Sequence, residues 1–257
     1  MKNNYNILII GASRRGYRLA KKLDNTNLKV GFISTHFENL PESAELNHVE
    51  MINGTVAFVE YFRRLLVVTL STGEKFFCTQ LVVATGKRAK KQLDLVNIPN
   101  VFYNRIELLQ KVPKGDSCLV LGNSDRAISA AKRIKRHYKA VYICDPDAII
   151  KPADLPETIG YLPRCTIISG TKTSNGYEAL LSTYAKIPYQ SILVVADREL
   201  DVDFLPDQFV KITDDFVEVN DKFQSTQLPI LYIIGECLQD PTNDVQVVYE
   251  QLTKGVK

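Results

Sequence analysis

The apolar residues of this chain fall in short unbroken runs, and several of these runs end on glycine. Residues 5–11 read as a buried strand. Residues 14–23, where apolar positions return every three to four residues, read as a helix. Leu28 to Ser34 reads as a second strand, followed by a polar stretch over 35–47. Strand-like runs come next at 55–61, 65–70 and 75–78, the last two joined by the turn Ser71-Thr-Gly-Glu74, and 80–86 reads as a further buried strand. Residues 105–111 look helical, and Pro113-Lys-Gly-Asp116 is turn chemistry that marks a domain boundary. The pattern then restarts with a strand at 118–121, a helix near 125–137 and a strand at 140–144. Strand-like runs follow at 166–169, 176–184, 191–196, 216–220 and 230–235, and a helix over 243–254 comes last. Strands alternating with helices predict parallel sheets of the α/β class.

Two strand-to-helix junctions carry glycine turns. The first is Gly11-Ala-Ser13-Arg-Arg15-Gly16 and the second is Gly122-Asn-Ser124-Asp-Arg-Ala127. A buried strand that ends on glycine and turns straight into a helix aims the helix N-terminus at the adjoining crevice. Its unpaired N–H groups and positive dipole end favour a phosphate there. Ser13 and Ser124 stand where a dinucleotide fingerprint has its second glycine, and Ala127 stands for the third. Each serine hydroxyl is a potential phosphate donor, and each turn can equally be read as a plain tight connection. Two such turns in one chain suggest two nucleotides facing each other, the layout for passing electrons between cofactors.

Composition narrows the classes. The chain has 257 residues, 45% hydrophobic and 24% charged, with a formal net charge of +3. This is the balance of a globular protein, and the charge is too small to argue for nucleic acid. The basic clusters Arg14, Arg15 and Arg18, then Lys87, Arg88, Lys90 and Lys91, then Arg126, Lys132, Arg133, Lys135 and Arg136 do not alternate with aromatics, so single-strand binding is not signalled. The second cluster reads as a solvated loop, with substrate or partner docking as the alternative. No apolar run reaches membrane-span length and the N-terminal residues lead straight into a strand, so a cytoplasmic protein is expected. The five cysteines are scattered, without a Cys-x-x-Cys pair, and read as reduced thiols. His36, His48 and His137 lack metal-ligand spacing, so no metal is expected.

The order of these signals resembles the flavoproteins with two dinucleotide-binding domains, the thioredoxin-reductase-like and NADH-oxidase-like members of the pyridine nucleotide-disulfide oxidoreductases. Four landmarks carry the resemblance: the Gly11 turn, the strand Leu81-Val-Val-Ala-Thr85-Gly86, the Gly122 turn, and Gln227-Leu-Pro-Ile-Leu-Tyr-Ile-Ile-Gly235-Glu236. The resemblance implies that Gly11, Ser13 and Gly16 meet the pyrophosphate of FAD, beside Thr85 and Gly86; the Arg15 guanidinium in the turn reads as a phosphate contact or, equally, as a group that obstructs that path or is solvated at the helix start. It implies that Gly122, Ser124 and Ala127 meet NAD or NADP. Glu236, after Gly235, takes the place of the family's aspartate on the ribityl chain of the flavin. Asp145 ends the second strand of the inner domain, where a carboxylate suits the ribose of NAD better than NADP; the run Asp145-Pro-Asp147 is also turn chemistry on composition alone.

The chain also departs from the family. No carboxylate follows the second strand until Glu38, the segment before Ala-Thr-Gly is short, and Asp197-Arg198 replaces a glycine. The redox cysteines are missing, so no disulfide relay is expected. Cys237 follows Glu236, either close to a flavin or as an inert buried thiol.

The fold expected is α/β, with two Rossmann-like domains: an FAD-binding-like outer domain, 1–112 with 223–257, and an inserted NAD(P)-binding-like domain, 113–222. The function implied is a flavin-dependent oxidoreductase that moves a hydride from NAD(P)H to bound FAD, with an unnamed small-molecule or protein acceptor and no nameable catalytic acid or base. The alternative is a catalytically degenerate relative that serves as a nucleotide-binding or protein-assembly module, as a homodimer or within a complex.

Overall fold

The computed structural model describes residues 3–37, 40, 45–89, 95–174, 176–195 and 198–254. Glu38, Lys90, Lys91 and Asp197, singled out above, lie outside the described residues. The elements of the first segment are β1 (Asn4–Ile10), α1 (Arg14–Leu23), β2 (Val30–Ser34), β3 (Val49–Asn53), β4 (Val56–Phe62), β5 (Leu65–Leu70), β6 (Lys75–Val83) and β7 (Lys87–Ala89). The middle segment has β8 (Val101–Phe102), α2 (Arg105–Lys111), β9 (Gly115–Leu121), α3 (Asp125–Ile134), β10 (Tyr138–Asp145), β11 (Gly160–Pro163), β12 (Ile167–Thr173), β13 (Gly176–Leu181), β14 (Lys186–Tyr189) and β15 (Ser191–Val194). The last segment adds β16 (Arg198–Leu200), β17 (Ile212–Thr213), β18 (Phe216–Val217), β19 (Leu231–Ile233) and α4 (Asp244–Leu252).

The chain forms two compact units. The outer one joins Met1–Arg88 with Glu199–Lys257, and the inner one is Ala89–Arg198. Both crossings come earlier in the chain than the boundaries expected at 112/113 and 222/223. The reason at the first is that β8 pairs with β15, so the linker into the Gly122 domain is itself part of the inner sheet.

The outer sheet runs β3-β2-β1-β6-β5-β4. Strand β6 is shared: over its length it is parallel to β1, its first half is antiparallel to β5, and Leu81–Val83 are parallel to β19. Alternate side chains of β1 supply opposite faces, as a two-residue period requires. Ile7 and Ile9 pack with α1 and α4 through Leu19, Leu23, Val245 and Val248. Leu8 and Ile10 pack on the other face with Leu66, Val68, Leu205 and Phe209. A strand buried on both faces is why this segment is continuously apolar in sequence.

The inner sheet is wholly parallel, β11-β10-β9-β15-β8, and a separate antiparallel sheet holds β12-β13-β14. Ala127, Ala131 and Ile134 of α3 cover Val120, Val141 and Ile143, while Ile167, Leu181 and Tyr189 of the antiparallel sheet cover the other side at Leu121, Cys144 and Val194. Strand β14 escapes sequence reading because Pro188 interrupts it, which an edge strand tolerates. Residues 75–83 form one strand where two were expected, and the expected strand 216–220 keeps only Phe216–Val217.

Candidate functional site

A cavity of the outer unit, about 440 Å³, opens beyond the C-terminal ends of β1, β2 and β6. In an open α/β sheet this is where a ligand crevice forms, at the point where connections leave in opposite directions. Its lining includes Gly11, Ala12 and Ser13 after β1, Ser34 and Thr35 at the end of β2, Thr55 and Val56 at the start of β4, and Thr85 after β6. The volume is that of a small-molecule site.

The glycine turn is built by close backbone approach. Gly11 has φ +104°, and a Cβ there would lie 2.7 Å from Thr85 N. A Cβ on Gly16 would lie 2.3 Å from the Gly11 carbonyl oxygen. Ser13 caps α1 in an extended conformation, its Oγ accepting from Gly16 N at 3.1 Å. The first-turn N–H groups of Arg14 and Arg15 have no acceptor within the helix, and that end of α1 adjoins the cavity. The turn therefore leaves the Arg14 and Arg15 N–H groups without an intrahelical acceptor, with the Ser13 hydroxyl engaged as a cap.

Arg15 does not point into this cavity. Its Nε pairs with Asp244 Oδ2 at 3.2 Å, and the same oxygen accepts from Gly235 N at 2.8 Å. Asp244 Oδ1 accepts from Val245 N at 2.6 Å. One buried carboxylate thus ties the start of α1, the Gly235 turn and the start of α4. The sequence signal for it was an acidic residue in the first turn of the expected last helix, where the dipole favours one.

Thr85 donates its hydroxyl to the Asp201 carbonyl at 2.6 Å. Gly86, with φ +74°, accepts Asp201 N–H at 3.1 Å and the Cys237 thiol at 3.0 Å, so Cys237 is buried behind the turn. Gly235 has φ +89°, and Glu236 is exposed, with a Cβ on Gly86 falling 3.6 Å from the Glu236 Cβ.

Arg88, read above as part of a solvated loop, belongs to the cavity wall with Asp201 and Asp203. Strand β7 pairs with β16, and this sets Arg88 Nε 2.9 Å from Glu199 Oε1. Its Nη1 lies 3.4 Å from Asp201 Oδ1, and Nη2 bonds Asp203. Burial pushes the Asp201 carboxyl above its usual value against the pull of Arg88. The signal was present as Glu199-x-Asp201-x-Asp203, three acids at the two-residue spacing that puts them on one face of an extended segment. Carboxylates in a cavity wall accept hydroxyl donors such as those of a sugar.

The inner unit brings Gly122, Ser124 and Ala127 together. A Cβ on Gly122 would meet Val195 O at 3.0 Å and Ala127 Cβ at 3.1 Å, so the glycine and alanine let α3 pack close to β9 and β15. Ser124 is the N-cap, and its side chain makes no capping bond. Asp145 is fully buried. Its oxygens accept from Asp147 N, Ile150 N and the Tyr161 hydroxyl at 3.2, 2.8 and 2.9 Å. The carboxylate organises the 145–150 turn and presents no exposed edge to a ribose.

All five cysteines are buried and unpaired. Burial pushes the Cys78 and Cys118 thiols up to about 12 and Cys237 up to about 11, so none is a thiolate at neutral pH. Among the described residues, no group of three or more metal-ligating side chains converges, and no helix is long and apolar enough to cross a membrane.

No family model and no curated protein matches the sequence. Solved structures do. The chain is similar to thioredoxin reductase of Lactococcus lactis at 15% identity, with 98% of this chain and 99% of that one covered and a TM-score of 0.74. It is similar to the HOCl-induced flavoprotein disulfide reductase RclA of Escherichia coli at 13% identity, covering 98% and 72%, TM-score 0.73. It is also similar to T. acidophilum thioredoxin reductase at 13% identity, covering 99% and 97%, TM-score 0.70. The fold is therefore thioredoxin-reductase-like, two Rossmann-like dinucleotide-binding domains, as the order of motifs led us to expect.

The outer cavity suits the nucleotide half of a dinucleotide. It has a glycine turn, a helix N-terminus for phosphate, hydroxyls at Ser34 and Thr35, and carboxylates for sugar hydroxyls. At Gly235, beside Glu236, the backbone N–H is taken by Asp244.

Proposed function

We propose that this protein is a flavin-nucleotide oxidoreductase of the NAD(P)H-dependent kind that works without a thiol relay. The observation that carries the reading is the outer cavity, framed by the Gly11 turn and the start of α1, in a fold shared with flavoprotein reductases. Gly11, Ser13 and Gly16 would shape the turn that receives the FAD pyrophosphate, with the dipole of α1 supplying the positive end. Asp201 and Asp203 would accept sugar hydroxyls, and Glu236 would hold the ribityl chain. Gly122, Ser124 and Ala127 would receive NAD(P)H in the inner unit. A bound FAD supplies hydride acceptance from the nicotinamide, and the chain supplies placement and exclusion of water. Electrons would leave without a thiol relay of this chain, because every thiol is buried and unpaired.

One observation favours a second reading, a nucleotide-binding module without redox turnover. The Asp244 carboxylate occupies Gly235 N and Arg15, filling from within the chain the polar contacts beside Glu236. The test is the visible absorption of the protein as purified and after incubation with FAD, followed by anaerobic NADH and NADPH. Flavin bands that bleach support the oxidoreductase. Flavin that is bound but does not bleach, or uptake of ADP without FAD, supports the second reading. A protein that takes up neither refutes both.

A further inference from the structure

The inner unit has a second cavity, about 230 Å³, away from the Asp145 turn. Its floor is the end of β15, Leu193 to Val195. One wall is the start of α2 with Tyr103 and Arg105, and the other is a face of α3. On α3 the lining residues are Arg126, Ser129, Ala130 and Arg133, the i, i+3, i+4, i+7 spacing of a single helix face. The two arginines on that face are seven residues apart, so their backbones are about 10 Å apart along the axis.

Three arginines therefore line one small hollow, and among the described residues no aspartate or glutamate lines it. Among the described residues, Arg105, Arg126 and Arg133 form no ion pair and no side-chain hydrogen bond. In the outer unit, by comparison, Arg15 is tied to Asp244 and Arg88 to three acids. Asp125 and Asp154 share a neighbouring hollow with Arg133, and neither comes within ion-pair distance of it. Like charges gathered around one cavity repel each other, and a polyanion in the cavity reverses the sign of that interaction. Guanidinium forks match phosphate oxygens two at a time, and the Ser129 hydroxyl adds a rotatable donor.

We propose that this hollow binds a phosphate group, free or as a small phosphate ester, gripped by Arg105, Arg126 and Arg133. The site uses none of Gly122, Ser124 and Ala127, and it adjoins that turn through Arg126 and Val195. Arg126 and Arg133 are exposed and Arg105 is half-buried, so their replacement should leave folding intact.

The test is calorimetric titration of the whole protein at low salt with inorganic pyrophosphate and, separately, with glucose 6-phosphate. The parent is compared with the single variants Arg126→Ala, Arg133→Ala and Arg105→Ala, and with Arg136→Ala as a control of equal charge loss on the same segment outside the hollow. We expect saturable binding that weakens about tenfold or more with each lining arginine removed, weakens with added salt, and is unchanged in Arg136→Ala. Tighter binding of the ester than of pyrophosphate would identify an organic phosphate as the natural ligand, and the reverse would identify the free anion. Absence of saturable binding in the parent, or equal loss in Arg136→Ala, overturns the proposal.

Discussion

Replacing Gly16 with alanine tests the construction of the outer crevice, because two physical effects predict opposite signs. In an ordinary helical position, glycine to alanine stabilises by up to about 1 kcal/mol through the lost freedom of the unfolded chain and better helix propensity. At Gly16 the new Cβ would sit 2.3 Å from the Gly11 carbonyl oxygen and 3.1 Å from the Ala84 Cβ. Real Cβ contacts stay at or beyond 3.0 Å, so the start of α1 must move by 3.0 minus 2.3, or 0.7 Å at least, away from the β1 turn. Both neighbours are packed, Gly11 held by its bond to Ile33 O and Ala84 by its bond to Ile10 O. Overpacking of this kind costs about 1–3 kcal/mol, which outweighs the propensity gain. We expect a net destabilisation of about 1–2 kcal/mol, or roughly 2–4 °C in Tm for each kcal/mol in a chain of this size. Urea unfolding followed by far-ultraviolet circular dichroism measures it, and ligand uptake at the outer cavity should fall with it. A variant as stable as the parent, or more stable, would refute the close approach on which the crevice depends.

Ser13→Ala should cost about 1 kcal/mol in the same assay, because Oγ is the cap of α1; no loss would mean the cap is idle. Asp24 accepts from the backbone N–H groups of Asn47, His48 and Val49, and these bonds hold its carboxyl below its usual value. A carboxyl lowered in the folded state stabilises fully above the unfolded value near 4 and loses that contribution as pH falls through the folded value. Asp24→Ala should therefore cost about 2 kcal/mol at pH 7, with the gap to the parent narrowing below pH 4; a gap independent of pH would contradict the assignment. Native protein should leave an aromatic disulfide reagent almost unreacted, whereas denatured protein should release five equivalents, because all five thiols are buried. Rapid reaction of any native thiol would reopen a thiol mechanism.

The parallel framework was legible because it rests on local signals. Continuous apolar runs marked β1 and β9 as buried on both faces, and Gly11 with Gly16 marked a turn that only glycine can build. What lay beyond sequence reading depends on partners far along the chain. Asp244 is an unremarkable first-turn acid until folding brings it to Arg15, and Arg88 looks solvated until β16 sets Glu199, Asp201 and Asp203 around it. Strand β3 was missed because its pattern is half polar and its start is fixed by the distant Asp24 carboxylate. Asp145 could be read as a ribose ligand or as a turn former, and only the donors around it, Ile150 N and Tyr161 among them, show how its oxygens are spent.

The shared strand β6 has a consequence for the order in which the chain matures during synthesis. Its C-terminal half pairs with β19, and Arg15 beside the Gly11 turn pairs with Asp244, yet both partners are made only after the whole inner unit. A ribosome that has released residues up to 88 presents an outer sheet with one flank of Leu81–Val83 open, so the nascent piece holds an unfinished edge that invites wrong pairing. The inner unit is contiguous and can fold while that edge waits. The glycine turn after β1 is thus completed last although its residues come first, and the tie from Asp244 to Arg15 acts as the closing stitch.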